Sequence, residues 1–156
     1  LTVMAYEPTV YLAGPIQHVN DYGKGWRAHV KDEYDGIKWV DPTDMEDPTE
    51  AARRDALGGT EELVEDEIRI VREADGMLVH WEEVPTCGTP MEMAYAQTAQ
   101  KWAEDIRTKT FVVTQTTVPE DDWSAFLTYH SDVMVETFEE AVETLKYALW
   151  ADRSEL

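Results

Sequence analysis

The segment PTCGTPMEMAYA at 85–96 holds the sharpest chemical signal in the chain, because it follows a short apolar run and carries the marks of a helix start. Thr89 is a good N-cap, Pro90 suits the first helical position, and Glu92 falls three residues after the cap. Two roles are open to Glu92. It can complete a capping box by reaching back to the Thr89 amide. Alternatively, as a carboxylate in the first turn of a helix at the ligand-facing end of a sheet, it is held ionised by the helix dipole and fixed in direction, as a nucleophile must be.

Such a residue needs a scaffold, and the pattern of the chain supplies one. Apolar runs at 10–14, 37–40, 76–81, 110–115 and 132–136 read as strands, and segments at 26–34, 60–74, 89–103, 119–129 and 137–151 have helical spacing or start signals. This is β-α repeated five times. Runs rich in Val, Leu and Met without polar alternation suit strands covered on both faces. The spacing therefore predicts one α/β domain over 1–156, with a five-stranded, mostly parallel sheet and helices on both faces. Ligands of such sheets gather beyond the carboxyl ends of the strands, at loops 14–25, 41–59, 81–89 and 115–119. The acidic, proline-punctuated segment 41–59 reads as a lid or surface excursion.

Four segments in order, YLAGPI at 11–16, Trp26-Arg27, EIRIVREADGMLV at 67–79 and GTPMEMAYA at 88–96, resemble the nucleoside 2-deoxyribosyltransferase family. The resemblance runs from about Val10 to Lys146. YLAGP alone is a weak signal. An Ala-Asp pair opening an apolar strand, followed at this distance by GTxxExxxA, is far more specific. The resemblance implies a flavodoxin-like fold, no cofactor, and a homodimer or higher homo-oligomer with sites near subunit interfaces. It also implies a covalent double displacement, in which Glu92 attacks the anomeric carbon of a nucleoside or nucleotide and a free nucleobase or water then releases the sugar. Cleaving a C–N glycosidic bond passes through an oxocarbenium-like state that a carboxylate traps, while a second acid protonates the departing base.

The family usually places that second acid, an Asp, eight residues before the Asp opening the third strand. Counted back from Asp75, the position holds Glu67, with Asp66 beside it. Either assists, or both are solvated helical acids. Transferases of the family commonly carry Asp six residues before the nucleophile. Here that residue is Thr86, closer to the Ser of the related nucleotide N-glycoside hydrolases. Thr86 would bond a sugar hydroxyl or the nucleophile, or steady the turn into Cys87-Gly88.

Tyr11 matches an active-site tyrosine of the family, and Asp41 lies where the family's loop meets the nucleobase. Asp41 either accepts from an exocyclic amine or forms an Asx turn before Pro42. Gly14 permits close approach to a ligand, Pro15 fixes the turn, and Gln17 can bond a base edge, unless this is an ordinary strand exit. Arg27 would pair with a 5′-phosphate, orient an active-site carboxylate, or make a surface ion pair. Transferase, 5′-monophosphate hydrolase and non-catalytic nucleotide-sensing module are the three readings carried forward. The closing residues WADRSEL do not reproduce the aromatic tail common among the transferases.

Composition narrows the partners. With 33 acidic and 13 basic residues the formal net charge is −20, which repels polymeric nucleic acid and anionic membrane surfaces. Four scattered histidines and one cysteine form no ligand-spaced set, so no metal is expected. AGPIQH lacks the glycine pattern of a dinucleotide fold, and the strand ends lack the paired acids of a receiver domain. The single Cys87, the absence of a signal-peptide pattern in LTVMAYEPTV and the lack of a long apolar stretch lead to the expectation of a cytoplasmic protein. An acid excess spread along the whole chain suits concentrated salt, where self-repulsion is screened, and a halophilic source is the matching hypothesis. Thermal unfolding followed from about 0.1 M to about 2 M KCl should then show rising stability. Full activity without salt, with loss of activity in the concentrated solution, would contradict it.

Overall fold

A computed structural model describes residues 6–45, 60–102 and 110–154. Five strands, β1 (Thr9–Ala13), β2 (Lys38–Val40), β3 (Gly76–Trp81), β4 (Phe111–Thr116) and β5 (Val133–Val135), form one sheet in the order β2-β1-β3-β4-β5. Each neighbouring pair is parallel. The sheet expected to be mostly parallel is therefore wholly so, and its order is that of a flavodoxin-like α/β fold.

The helices are α1 (Lys24–Glu33), α2 (Pro42–Met45), α3 (Thr60–Glu73), α4 (Gly88–Trp102), α5 (Ala125–Tyr129) and α6 (Phe138–Ser154). The helix expected across 119–129 is two pieces, a 3₁₀ turn at Glu120–Asp122 and then α5. Ser124 separates them: its backbone is extended and its hydroxyl accepts from the Phe126 amide at 3.2 Å, starting a new helix. Of the excursion expected at 41–59, the described part is Asp41 to Met45, containing α2; the remainder lies outside the described residues.

Strand alternation sorts the core into two layers. Val10, Leu12, Leu78 and Val113 face one side, where Val30 of α1 and Ala141, Val142, Leu145 and Leu149 of α6 cover them. Tyr11, Ala13, Met77, Val79 and Val112 face the other, under Val71 of α3, Met93 and Ala96 of α4 and Leu127 of α5. The parity of β1 thus sends Tyr11 to the α3 and α4 side. From β1 the strands are added first on one side, as β2, and then on the other, as β3, so a crevice opens beyond the carboxyl ends of β1 and β3. Among the described residues, no helix is long and apolar enough to cross a membrane.

Candidate active site

A cleft of about 340 Å³ occupies that crevice. Its floor is Tyr11; Gly14, Ile16 and Gln17 of the β1–α1 loop form one wall; Pro42 and Thr43 come from α2, and Leu63 and Glu67 from α3. Pro85 to Thr89 and Glu92 close it from the β3–α4 side. The structure therefore brings Tyr11, Gly14, Gln17, Glu67, Thr86, Gly88 and Glu92 together. It does not bring Asp66, Pro15, Arg27 or Asp41 to the cleft surface.

Glu92 lies on the inward stripe of α4, three residues after Thr89 and four before Ala96, both buried. Its Oε2 is out of solvent and has no hydrogen-bond partner, while the Tyr11 hydroxyl bonds the carboxylate. The capping box is not formed. Helix α4 already starts at Gly88, so Thr89 lies inside the first turn, and the Thr86 hydroxyl donates to the Thr89 hydroxyl at 3.3 Å. A Cβ on Gly88 would sit 3.7 Å from Glu92 Oε1, so the carboxylate stands over the opening turn of the helix.

Burial is the main force on this carboxyl, pushing it up to about 8, with the Tyr11 hydrogen bond opposing, the Glu67 charge adding and Arg27 opposing, so the helix dipole does not hold it ionised as expected. Tyr11 is in turn held well above the ordinary phenol range by burial and by the carboxylates of Glu92 and Glu67. The three groups are one electrostatic unit. A raised carboxyl beside a second acid in a cleft is a common arrangement in catalytic sites.

Four expected site residues have other surroundings. Asp66 is exposed and pairs with Arg69 at 3.4 Å, one helical position away from Glu67 but on the outer face of α3. Pro15 faces a second, wider cleft of about 440 Å³, shared with His18, Trp26, His80, Glu82 and Val84. Asp41 is buried and makes the Asx turn: its Oδ1 accepts from the Thr43 amide at 2.8 Å and the Thr43 hydroxyl at 2.6 Å, and Lys31 Nζ lies 2.8 Å from Oδ2. Burial alone would raise its carboxyl, but the bonds from Lys31 and Thr43 outweigh burial and hold it low. Arg27 is wholly buried, its guanidinium donating to backbone carbonyls and lying 3.8 Å from Asp41. An expected 5′-phosphate contact finds no exposed donor there.

Gly14 is explained by packing. A Cβ there would fall 2.8 Å from Trp26 Cζ2 and 3.1 Å from the His80 carbonyl. Trp26 itself stacks on Phe138 with ring centroids 5.8 Å apart, packing α1 against α6. Ile16, Thr43, Pro85 and Cys87 lie in loops expected to gather ligands, although the sequence does not single them out, and Leu63 lies outside those loops. One signal existed for Leu63, which lies four residues before Glu67 on α3 and so on the same face.

Among the described residues, no group of three or more His, Cys, Asp or Glu is placed to hold a metal ion. Comparison of the sequence with family models and with curated proteins finds no match.

The raised Glu92 carboxyl makes stability depend on pH. The folded protein binds this proton more tightly than the unfolded chain, so the cost of ionising it is absent below about 4.5, grows with rising pH and is complete above about 8. Glu92→Gln should thus match the parent in urea unfolding at pH 4 and exceed it by several kcal/mol, up to about 5, at pH 9. Equal stability of the two proteins at pH 9 would show that the carboxylate is not strained by burial.

Proposed function

We propose that this protein cleaves or transfers the N-glycosidic bond of a nucleoside or nucleotide, with Glu92 as the nucleophile, in the manner of the nucleoside 2-deoxyribosyltransferases it resembles. The observation that carries the reading is Glu92 itself, which lines a cleft large enough for a nucleoside while its Oε2 is out of solvent without a hydrogen-bond partner. A buried carboxylate oxygen without a partner is costly to a fold that does not use it.

In the first step a Glu92 oxygen bonds to the anomeric carbon while the C–N bond breaks, its electron pair leaving with the base. Glu67 is the second carboxyl lining the cleft and serves as the acid that hands the base a proton. In the second step water or another base attacks the same carbon, its proton passing to Glu67, and the ester bond to Glu92 breaks. The Tyr11 hydroxyl orients the Glu92 carboxylate during both.

The choice of acceptor follows from the cleft less directly. Thr86 spends its hydroxyl on Thr89, leaving the entrance open to either water or a base. A 5′-monophosphate hydrolase is the second reading, and the observation favouring it is the set Thr86, Gly88 and Thr89 at the first turn of α4, facing the cleft. The N-terminus of a helix attracts a phosphate.

Self-association belongs to the reading as well. An apolar groove lined by Trp81, Pro90, Met91, Met93, Phe126 and Leu127 adjoins the first turn of α4, and Met91 and Phe126 are exposed. Covering it would place a second copy near the cleft rim. A monomer by light scattering at assay concentration would remove this part.

The function is tested by incubating the protein in high salt with deoxynucleosides and their 5′-monophosphates, with and without a second free base, and separating the products. Base exchange marks a transferase; free base and sugar without exchange mark a hydrolase. Glu92→Gln should lower kcat/KM by at least about 10³-fold. In the parent, kcat/KM should rise with pH and level off above about 8, as the Glu92 carboxyl of the free protein loses its proton. Nucleoside binding without turnover in the parent, retained in Glu92→Gln, would support a sensing module instead.

A further inference from the structure

Arg27 is the largest fully buried side chain among the described residues. A guanidinium removed from water is tolerated only when its charge and its donors are answered. Here Nε donates to the Leu12 carbonyl at 3.2 Å, Nη1 to that of Gly23 at 2.9 Å and Nη2 to that of Gly14 at 3.0 Å. Asp41 Oδ1 lies 3.8 Å from Nε. The acceptors are not scattered. Leu12 lies near the end of β1, Gly14 opens the β1–α1 loop and Gly23 is its far end, so one planar fork pins both ends of the loop that carries Ile16 and Gln17.

The backbone has been shaped to this fork. Gly23 has φ +72°, and a Cβ there would fall 2.3 Å from Arg27 Nη1 and 2.4 Å from the Pro15 carbonyl, so only glycine fits. Through Asp41 the same guanidinium reaches the opposite wall, because Asp41 fixes Thr43, a cleft residue. Its field also extends to the reacting groups, favouring the ionised forms of Glu92 and Tyr11 against their burial.

We propose that Arg27 is a positioning residue of the Glu92 site, whose fork holds the β1–α1 loop as a cleft wall and whose buried charge supports the Glu92 carboxylate. This rests on Glu92 being the reacting carboxylate. A lysine in its place keeps the charge and loses the fork, and a glutamine loses the charge, so the two functions separate.

The test has a readout independent of activity. The side-chain carboxyl of Glu92 is titrated by carbon NMR in glutamate-labelled protein, assigned with Glu92→Gln, in the parent, Arg27→Lys and Arg27→Gln, each shown to unfold cooperatively. In Arg27→Gln the Glu92 midpoint should move up by about one pH unit, and the rising limb of kcat/KM should move with it. In Arg27→Lys the midpoint should stay within about 0.3 unit of the parent, while KM rises severalfold and kcat falls less. An unmoved midpoint in a folded Arg27→Gln, or the same displacement in both variants, would overturn the proposal. Should Arg27→Gln fail to fold, Arg27→Lys decides: a raised KM at an unmoved midpoint supports the proposal, and an unchanged KM or a displaced midpoint overturns it. A parent without glycosidic activity would end the proposed function, while the midpoints would still report on Arg27.

Discussion

A half-buried carboxyl whose Oε2 is held out of solvent is the constraint on which the rest of this molecule turns. Burial of Glu92 favours the neutral acid by a wide margin, and three neighbours adjust that balance: Tyr11 by a hydrogen bond, Glu67 by like charge and Arg27 by opposite charge. Each comes from a different element, β1, α3 and α1, and each must be held within a narrow range of positions. The five-stranded sheet provides this. With every strand parallel, all carboxyl ends fall on one edge, and the change of side at β1 opens the space between them into which α3 and α4 project.

Placement then follows from simple periodicities. Tyr11 reaches Glu92 because odd positions of β1 face α3 and α4, whereas Val10 and Leu12 face α1 and α6. Glu92 points inward because it falls on the same stripe of α4 as Thr89, Met93 and Ala96. Glu67 is one turn before Val71 on α3, on the face that packs against the sheet, and Asp66 next to it turns outward to Arg69. A shift of one residue in β1 would send Tyr11 to the wrong layer. The buried guanidinium of Arg27 is the strap that keeps the loop between β1 and α1 from relaxing away from this arrangement.

Much of this was legible in the amino-acid sequence, for reasons particular to each element. Strands of five or six residues such as GMLVHW stand out because they are apolar without alternation and are bounded by turn residues, and their segments coincide with those observed to within a residue or two. Glu92 was legible from its place in the first turn of a helix that follows a strand, and from the GTxxExxxA spacing around it. What could not be read was how polar groups spend their bonds. The Asx turn that Asp41 makes with Thr43 was one of its two readings, but its bond to Lys31, ten residues away, was not legible, nor were the Arg27 bonds to carbonyls up to fifteen residues distant. No local pattern distinguishes an arginine facing a phosphate from one facing backbone carbonyls. The start of α4 was misplaced for a related reason: Thr89 has the chemistry of an N-cap, but the turn through Cys87 and Gly88 begins the helix earlier and leaves Thr89 bonded to Thr86.

The claim at the centre is that Glu92 forms a covalent bond to the sugar. The most direct measurement is mass spectrometry of the protein quenched in acid during turnover of a deoxynucleoside, followed by peptide mapping. The expected result is a mass increase of one deoxyribosyl group on the peptide containing Glu92, absent in Glu92→Gln. An actively turning over protein with no adduct at Glu92, or with the same adduct in Glu92→Gln, would contradict it.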